Sequence, residues 1–216
     1  MKTGTLILVR HHESEWNKLG IWTGLTDIGL TEYGFEQSEE MGKLIANIHI
    51  DQAFVSEQKR SSQTLEHMIL GMKQNAFPID RSGAINERDY GDYTGKNKWE
   101  VQKEIGEEAF ENIRRGWNEP VPHGETLKMV YERAVPFYLS TIVPMLMTGK
   151  NVLVVSHGNT IRALSKYIEN ISDEGIKKVE MLIGCILLYQ VDKEGRVIPD
   201  KKELRCLEIE GTSKKY

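Results

Sequence analysis

Apolar residues fall into two kinds of pattern along this chain. Short unbroken runs at Thr5–Val9 and Asn151–Val155 carry the signature of strands buried on both faces. Longer stretches repeat every three or four residues instead. Glu32–Ile48 carries Phe35, Met41, Leu44, Ile45 and Ile48 at that spacing and predicts an amphipathic helix. Gln52–Val55 predicts a second short strand. Ser56 then stands where an N-cap belongs, ahead of a helix over Glu57–Lys73. Phe77–Asp80 reads as a further strand. Asn97–Arg115 reads as one helix with Val101, Ile105, Ala109, Phe110 and Ile113 on one side. Gly116–Gly124 is rich in proline and glycine and predicts a loop. A long helix is expected over Glu125–Met147 and another over Thr160–Glu169, with Ser172 capping a short one. Cys185–Asp192 and Arg196–Pro199 predict a strand pair turning at Lys193-Glu194-Gly195. The polar stretch Leu204–Tyr216 reads as a flexible tail.

Strands alternating with long helices predict an α/β protein: a three-layer α/β/α sandwich with a mixed, mainly parallel sheet. Residues 1–203 form the expected single domain and 204–216 the tail. Charge narrows the function. The 216 residues hold 28 Lys and Arg against 32 Asp and Glu, a net charge of −4. An acidic chain is poorly suited to general nucleic-acid binding, which relies on excess cations against phosphate. The apolar runs are too short to cross a membrane. The residues after Met1 lead directly into a strand-like segment, with no signal-peptide pattern. Two cysteines, Cys185 and Cys206, are too few for a disulfide framework and have no metal-knuckle spacing. They are expected to be reduced and inert, in a cytoplasmic protein.

The candidate chemistry lies just after the two most apolar strands, at Arg10-His11-His12-Glu13 and Ser156-His157-Gly158-Asn159. In open α/β sheets ligands bind beyond the carboxyl ends of the strands, so parallel central strands would turn His11 and His157 toward one crevice. A zinc site could use His11, His12 and His157 with Glu13 or Asp27, but Arg10 would place a fixed positive charge beside the cation. Phosphate chemistry suits the set better. Arg10 offers a planar fork to phosphoryl oxygens. A neutral imidazole can attack phosphorus, and a second can donate to the transition-state oxygens.

These residues carry a family resemblance. Leu8 to Asn17 (LVRHHESEWN) resembles the opening motif of the histidine phosphatase superfamily and, more narrowly, that of the cofactor-dependent phosphoglycerate mutases. The likeness continues at Thr23–Asp27, Leu30–Gly34, Lys59–Thr64, Asn86–Gly91, Gly95–Lys98, Arg114-Arg115, Gly124–Leu127 and Ser156–Arg162. The resemblance implies roles. His11 would carry the phosphoryl group, with Arg10, Arg60 and His157 around its oxygens. Glu87 would exchange the proton of the substrate hydroxyl. Asn17, Gly158 and Asn159 would complete the phosphoryl pocket. Thr23, Gly24, Tyr90, Lys98, Arg114 and Arg115 would hold the substrate's non-reacting carboxylate and phosphate.

By the same resemblance the chain interconverts 3-phosphoglycerate and 2-phosphoglycerate in glycolysis and gluconeogenesis, after priming by 2,3-bisphosphoglycerate. No metal is expected, because the arginines and His157 neutralise the charge. The expected partner is a small phosphorylated substrate, not nucleic acid or membrane, and homodimer and homotetramer both fit the resemblance. Three other readings stay open: a phosphatase on the same fold, a non-catalytic binding relative and a zinc hydrolase. Two departures from the family pattern stand out. His12 replaces the glycine that follows the nucleophile, and Met181–Gly184 replaces a proline-threonine-glycine turn with only Gly184 kept.

Overall fold

The computed structural model describes residues 3–74 and 76–207. Six strands form one sheet: β1 (Gly4–Arg10), β2 (Gln52–Val55), β3 (Ile79–Arg81), β4 (Asn151–Ser156), β5 (Cys185–Val191) and β6 (Val197–Cys206), in the order β3-β2-β4-β1-β5-β6. The first four in that order run parallel, β5 runs antiparallel to β1, and β6 runs antiparallel to β5. The sheet is therefore mixed and mainly parallel, as expected.

Alternation along β1 explains the three layers. Leu6 and Leu8 face one cluster with Ala134, Tyr138, Ile142, Leu146, Ile161 and Leu164. Ile7 and Val9 face another with Met41, Ile45, Leu65, Met68 and Met72. The first cluster is covered by α6 (Leu127–Phe137), α7 (Val143–Met147) and α8 (Gly158–Ile168), the second by α2 (Glu32–Lys43) and α3 (Lys59–Met72). Strands covered on both sides need no polar alternation, which is why β1 and β4 read as unbroken apolar runs.

Several boundaries differ from the sequence reading. The helix expected over Glu32–Ile48 ends at Lys43, and turns follow. Ser56 does not cap α3; the helix starts at Lys59 with Gln58 as its N-cap, and the Ser56 hydroxyl turns into the interior. The helix expected over Asn97–Arg115 is two helices, α4 (Lys98–Ile105) and α5 (Glu107–Arg115). Gly106 separates them at φ +84°, a conformation that costs glycine little. The long third-layer helix starts at Leu127, capped by the Thr126 side chain, and passes through one π-helical turn at Tyr138–Ile142 before α7. The sequence reading also missed α1 (Glu15–Lys18), a single turn closed by a capping box between Ser14 and Asn17.

The end of the chain needs two corrections. The expected tail begins inside β6, which runs through Cys206 because residues 204–206 pair with Cys185–Leu187; residues 208–216 lie outside the described region. Cys185 and Cys206, expected as free thiols, form a disulfide. Their count suggested no framework, but the β5–β6 register sets them directly opposite each other with a Cα separation of 4.1 Å. Among the described residues no helix is long and apolar enough to cross a membrane.

Candidate active site

The parallel register of β1 on β4 pairs Arg10 with Ser156. The chain leaves both strands at the same edge, so His11 and His157 emerge side by side. Their rings meet edge to face at 5.0 Å between centroids. Both are almost fully buried. The His11 Nδ1–H donates to the His12 carbonyl oxygen at 2.7 Å, which leaves the Nε2 lone pair free. Burial first, then the Arg60 and Arg10 charges, hold the His11 pKa well below its ordinary value, so the ring is neutral. His157 is depressed by burial and then by Arg60. Its Nε2 lies 2.8 Å from the Ser56 hydroxyl, and its Nδ1 is buried without a protein partner. A proton donated from Ser56 to Nε2 leaves the Nδ1–H pointing away from the protein's own acceptors.

Two guanidinium groups flank the histidines. Arg10 donates to the Met181 carbonyl at 2.8 Å, and Arg60 donates to the Thr26 and Gly24 carbonyls at 2.9 and 3.0 Å. In each, Nε is buried without a protein partner. Burial lowers both pKa values, that of Arg60 to about 10, so both remain cations. His11, Glu87 and His157 each present a donor atom within 4.8 Å of the others, a set that could hold a metal. The two guanidinium groups oppose a cation there and favour an anion. His12 does not join that set, which removes a ligand from the zinc arrangement considered above. Its backbone is not in the left-handed region, so the missing glycine is not required for its torsions. Its ring stacks edge-on against Tyr33 at 5.6 Å and lies against Gly184.

Glu87 closes the pocket from the side. Its Oε1 accepts from the Arg88 amide at 2.8 Å and from Asn159 Nδ2 at 3.2 Å. Arg133 binds its carbonyl, and Gln58 accepts its amide. Asn159 also donates to the Tyr90 hydroxyl at 2.8 Å, linking Glu87 and Tyr90 through one side chain. Gly158 and Asn159 open α8, where unpaired backbone amides suit an anion.

The outer residues stand on a satellite cluster of Trp22, Tyr90, Val101, Phe110, Ile113 and Val121, packed by α4 and α5. The Lys98 ammonium lies 5.8 Å over the Trp22 ring, and its pKa is pushed down to about 8 by burial, then Arg10 and Arg114. Arg114 lies over Phe110 and pairs with Glu111 at 2.9 Å. Arg115 pairs with Glu180 at 3.0 Å and with Glu111 at 3.9 Å. Thr23 is buried beside Gly24, whose φ is +52°; a Cβ there would meet the Thr94 hydroxyl at 2.8 Å. Asn17 stands further back, its side-chain Oδ1 accepting from the Ser14 amide and hydroxyl.

Sequence reasoning missed residues that hold this frame. Arg162 donates to the carbonyls of Arg114, Arg115, Ile176 and Val179 and to Asn159 Oδ1. Arg133 and Ser56 support Glu87 and His157. Arg162 lay within the block Ser156–Arg162, but a helical arginine gives no sign of which distant carbonyls it will meet.

This fold and this pocket have known counterparts. The profile of the histidine phosphatase superfamily (branch 1) matches residues 6–202, and the chain belongs to that superfamily. A relative from Bradyrhizobium diazoefficiens, named 2,3-bisphosphoglycerate-dependent phosphoglycerate mutase, is 38% identical over 199 residues, covering 91% of this chain and 96% of that protein. Among solved structures, Bacillus stearothermophilus YhfR matches with a TM-score of 0.79 and 24% identity, over 90% of this chain and 94% of that one. A mycobacterial glucosyl-3-phosphoglycerate phosphatase matches with a TM-score of 0.76 and 18% identity, over 94% of this chain and 97% of that one. At these identities the structural matches establish the fold. The chain is an enzyme of the superfamily.

Proposed function

We propose that this chain is a 2,3-bisphosphoglycerate-dependent phosphoglycerate mutase that interconverts 3-phosphoglycerate and 2-phosphoglycerate through a phosphohistidine at His11. The observation that carries this reading is a carboxylate inside the phosphoryl pocket with a second cationic rim beyond it. Glu87 stands within reach of both histidines, and Lys98, Arg114 and Arg115 stand outside it. Mutase names among relatives such as the Bradyrhizobium protein support the same reading. The partner is a small phosphorylated molecule, and the setting we propose is cytoplasmic.

The pocket fits a phosphoryl group: three cationic or N–H-bearing groups converge, and their Arg10 Nε, Arg60 Nε and His157 Nδ1 lack protein partners. When bound, 2,3-bisphosphoglycerate would supply the phosphoryl group that loads His11. His11 Nε2 is free and neutral, so it can form the P–N bond as the bond from phosphorus to the ester oxygen breaks, that oxygen leaving on its carbon. Arg10, Arg60 and His157 offset the charge on the phosphoryl oxygens. Glu87 gives its proton to the departing oxygen and removes one from the hydroxyl that later attacks. Lys98, Arg114 and Arg115 hold the carboxylate and the second phosphate so that either carbon can face His11.

The test is conversion of 3-phosphoglycerate with and without 2,3-bisphosphoglycerate, with released phosphate measured in the same tubes. Cofactor-stimulated isomerisation with little phosphate release is the expected result. Phosphate release without isomerisation would instead make the chain a phosphatase. Two variants divide the roles. His11→Asn should incorporate no phosphate from the cofactor, whereas Glu87→Gln should still be phosphorylated yet lose isomerisation by about 100-fold or more. Full turnover by Glu87→Gln would remove Glu87 from the proton transfer.

A further inference from the structure

Arg115 is assigned above to the non-reacting anion of the substrate, yet in this structure it is already bound to a carboxylate. Glu180 Oε1 lies 3.0 Å from Arg115 Nη2. Glu180 is about one-third exposed, so its side chain has open space to move into. Its neighbour Met181 accepts the Arg10 guanidinium through its carbonyl. The segment therefore passes between the cation of the phosphoryl pocket and the cation of the outer rim. Burial lowers the Arg10 pKa, and Glu180 is among the charges that partly offset this, after Glu87. Arg115 also acts on Arg10 as a like charge, so the three groups share one field. Two other ion pairs of the rim, Arg114–Glu111 and Arg115–Glu111, lie within α5, whereas Glu180 reaches Arg115 from outside that helix.

We propose that Glu180 is a specificity-determining residue: a built-in competitor that occupies Arg115 and must be displaced by the ligand's distal anion. Once displaced it stays close, and it repels the ligand in proportion to the ligand's charge. It therefore weakens a bisphosphorylated ligand more than a monophosphorylated one. Glu180 would set how much of the cofactor is needed relative to substrate. The proposal rests on the reading of Arg115 as a substrate ligand.

The experiment compares wild type with Glu180→Gln by calorimetric titration of 3-phosphoglycerate and 2,3-bisphosphoglycerate at low salt. Glu180→Gln should bind 3-phosphoglycerate about threefold more tightly and the bisphosphate about tenfold more tightly, the size expected for release of one exposed ion pair plus removal of a like charge. Both gains should shrink at high salt. Arg115→Gln should bind the two ligands more weakly than wild type, and in the double variant the Glu180 effect should largely disappear. Equal affinities in wild type and Glu180→Gln would overturn the proposal. So would weaker binding, since that would make the carboxylate a support that positions Arg115. The mutase reading fails separately: wild type that binds both ligands but never isomerises 3-phosphoglycerate ends that reading while the affinity comparison still decides the role of Glu180.

Discussion

At the residue scale, the candidate site follows from two choices made by its neighbours. The His12 carbonyl selects the His11 tautomer, and burial beside two guanidinium groups keeps the ring unprotonated. The neutral ring in a shared crevice could be expected from Arg10-His11 after an apolar strand, because a strand end delivers the side chain there; the tautomer could not. What could not be read was the direction of His12. Its ring leaves toward Tyr33 and Gly184. Lys98 carries a prediction at this scale. Its pKa is pushed down to about 8, so it loses its charge just above neutral pH in the free enzyme. An anionic substrate binds the charged form and raises that pKa. Hence kcat/KM for 3-phosphoglycerate should fall above about pH 8, while kcat should titrate higher. Lys98→Arg stays charged throughout and should lose the inflection. An unchanged profile in Lys98→Arg would assign the fall to another group.

At the element scale, apolar periodicity located nearly every helix and strand but not where they stop. The stripe through Val101, Ile105, Phe110 and Ile113 continues across Gly106 because α4 and α5 both pack on the satellite cluster around Trp22. A period records which face is buried and not whether the axis bends between two turns. The β5–β6 hairpin shows the opposite limit. Its turn at Gly195 was legible, but Cys185 faces Cys206 only because the register shifts between Tyr189 and Val191; carried straight on from the Val191–Val197 pair, it would set Cys185 opposite Glu203. Counting cysteines hid this, because a pair becomes a bridge through strand register and not through number. The bond closes a loop of about 20 residues beside the edge strand, worth at most about 3 kcal/mol, or roughly 10 °C in this size of domain. Cys206→Ser should lower the Tm by up to that amount, and a dithiol reductant should bring wild type down to the variant without affecting the variant. Equal Tm values for the two proteins, insensitive to reductant, would mean that the thiols are reduced in solution.

At the scale of the whole molecule, the pocket that favours phosphate works against folding at low pH. His11, His12 and His157 are all buried near Arg10 or Arg60, and all three pKa values are lowered. A histidine whose folded pKa lies below its unfolded value binds fewer protons when folded. Stability therefore rises with pH through that window, is complete above the unfolded value near 6.5, and is lost as pH falls. For His12, held down to about 4 by burial and then Arg10, the loss at pH 4.5 is about 2–3 kcal/mol. Denaturant unfolding at pH 7 and pH 4.5 should show a drop in wild type that is smaller in His12→Asn by about that amount, whatever the variant's stability at pH 7. Inorganic phosphate should offset part of the drop in both proteins, since an anion between Arg10 and Arg60 relieves the repulsion felt by protonated histidines. An identical drop in wild type and His12→Asn would show that His12 is already solvated, and that its ring does not occupy the buried place between Tyr33 and Gly184.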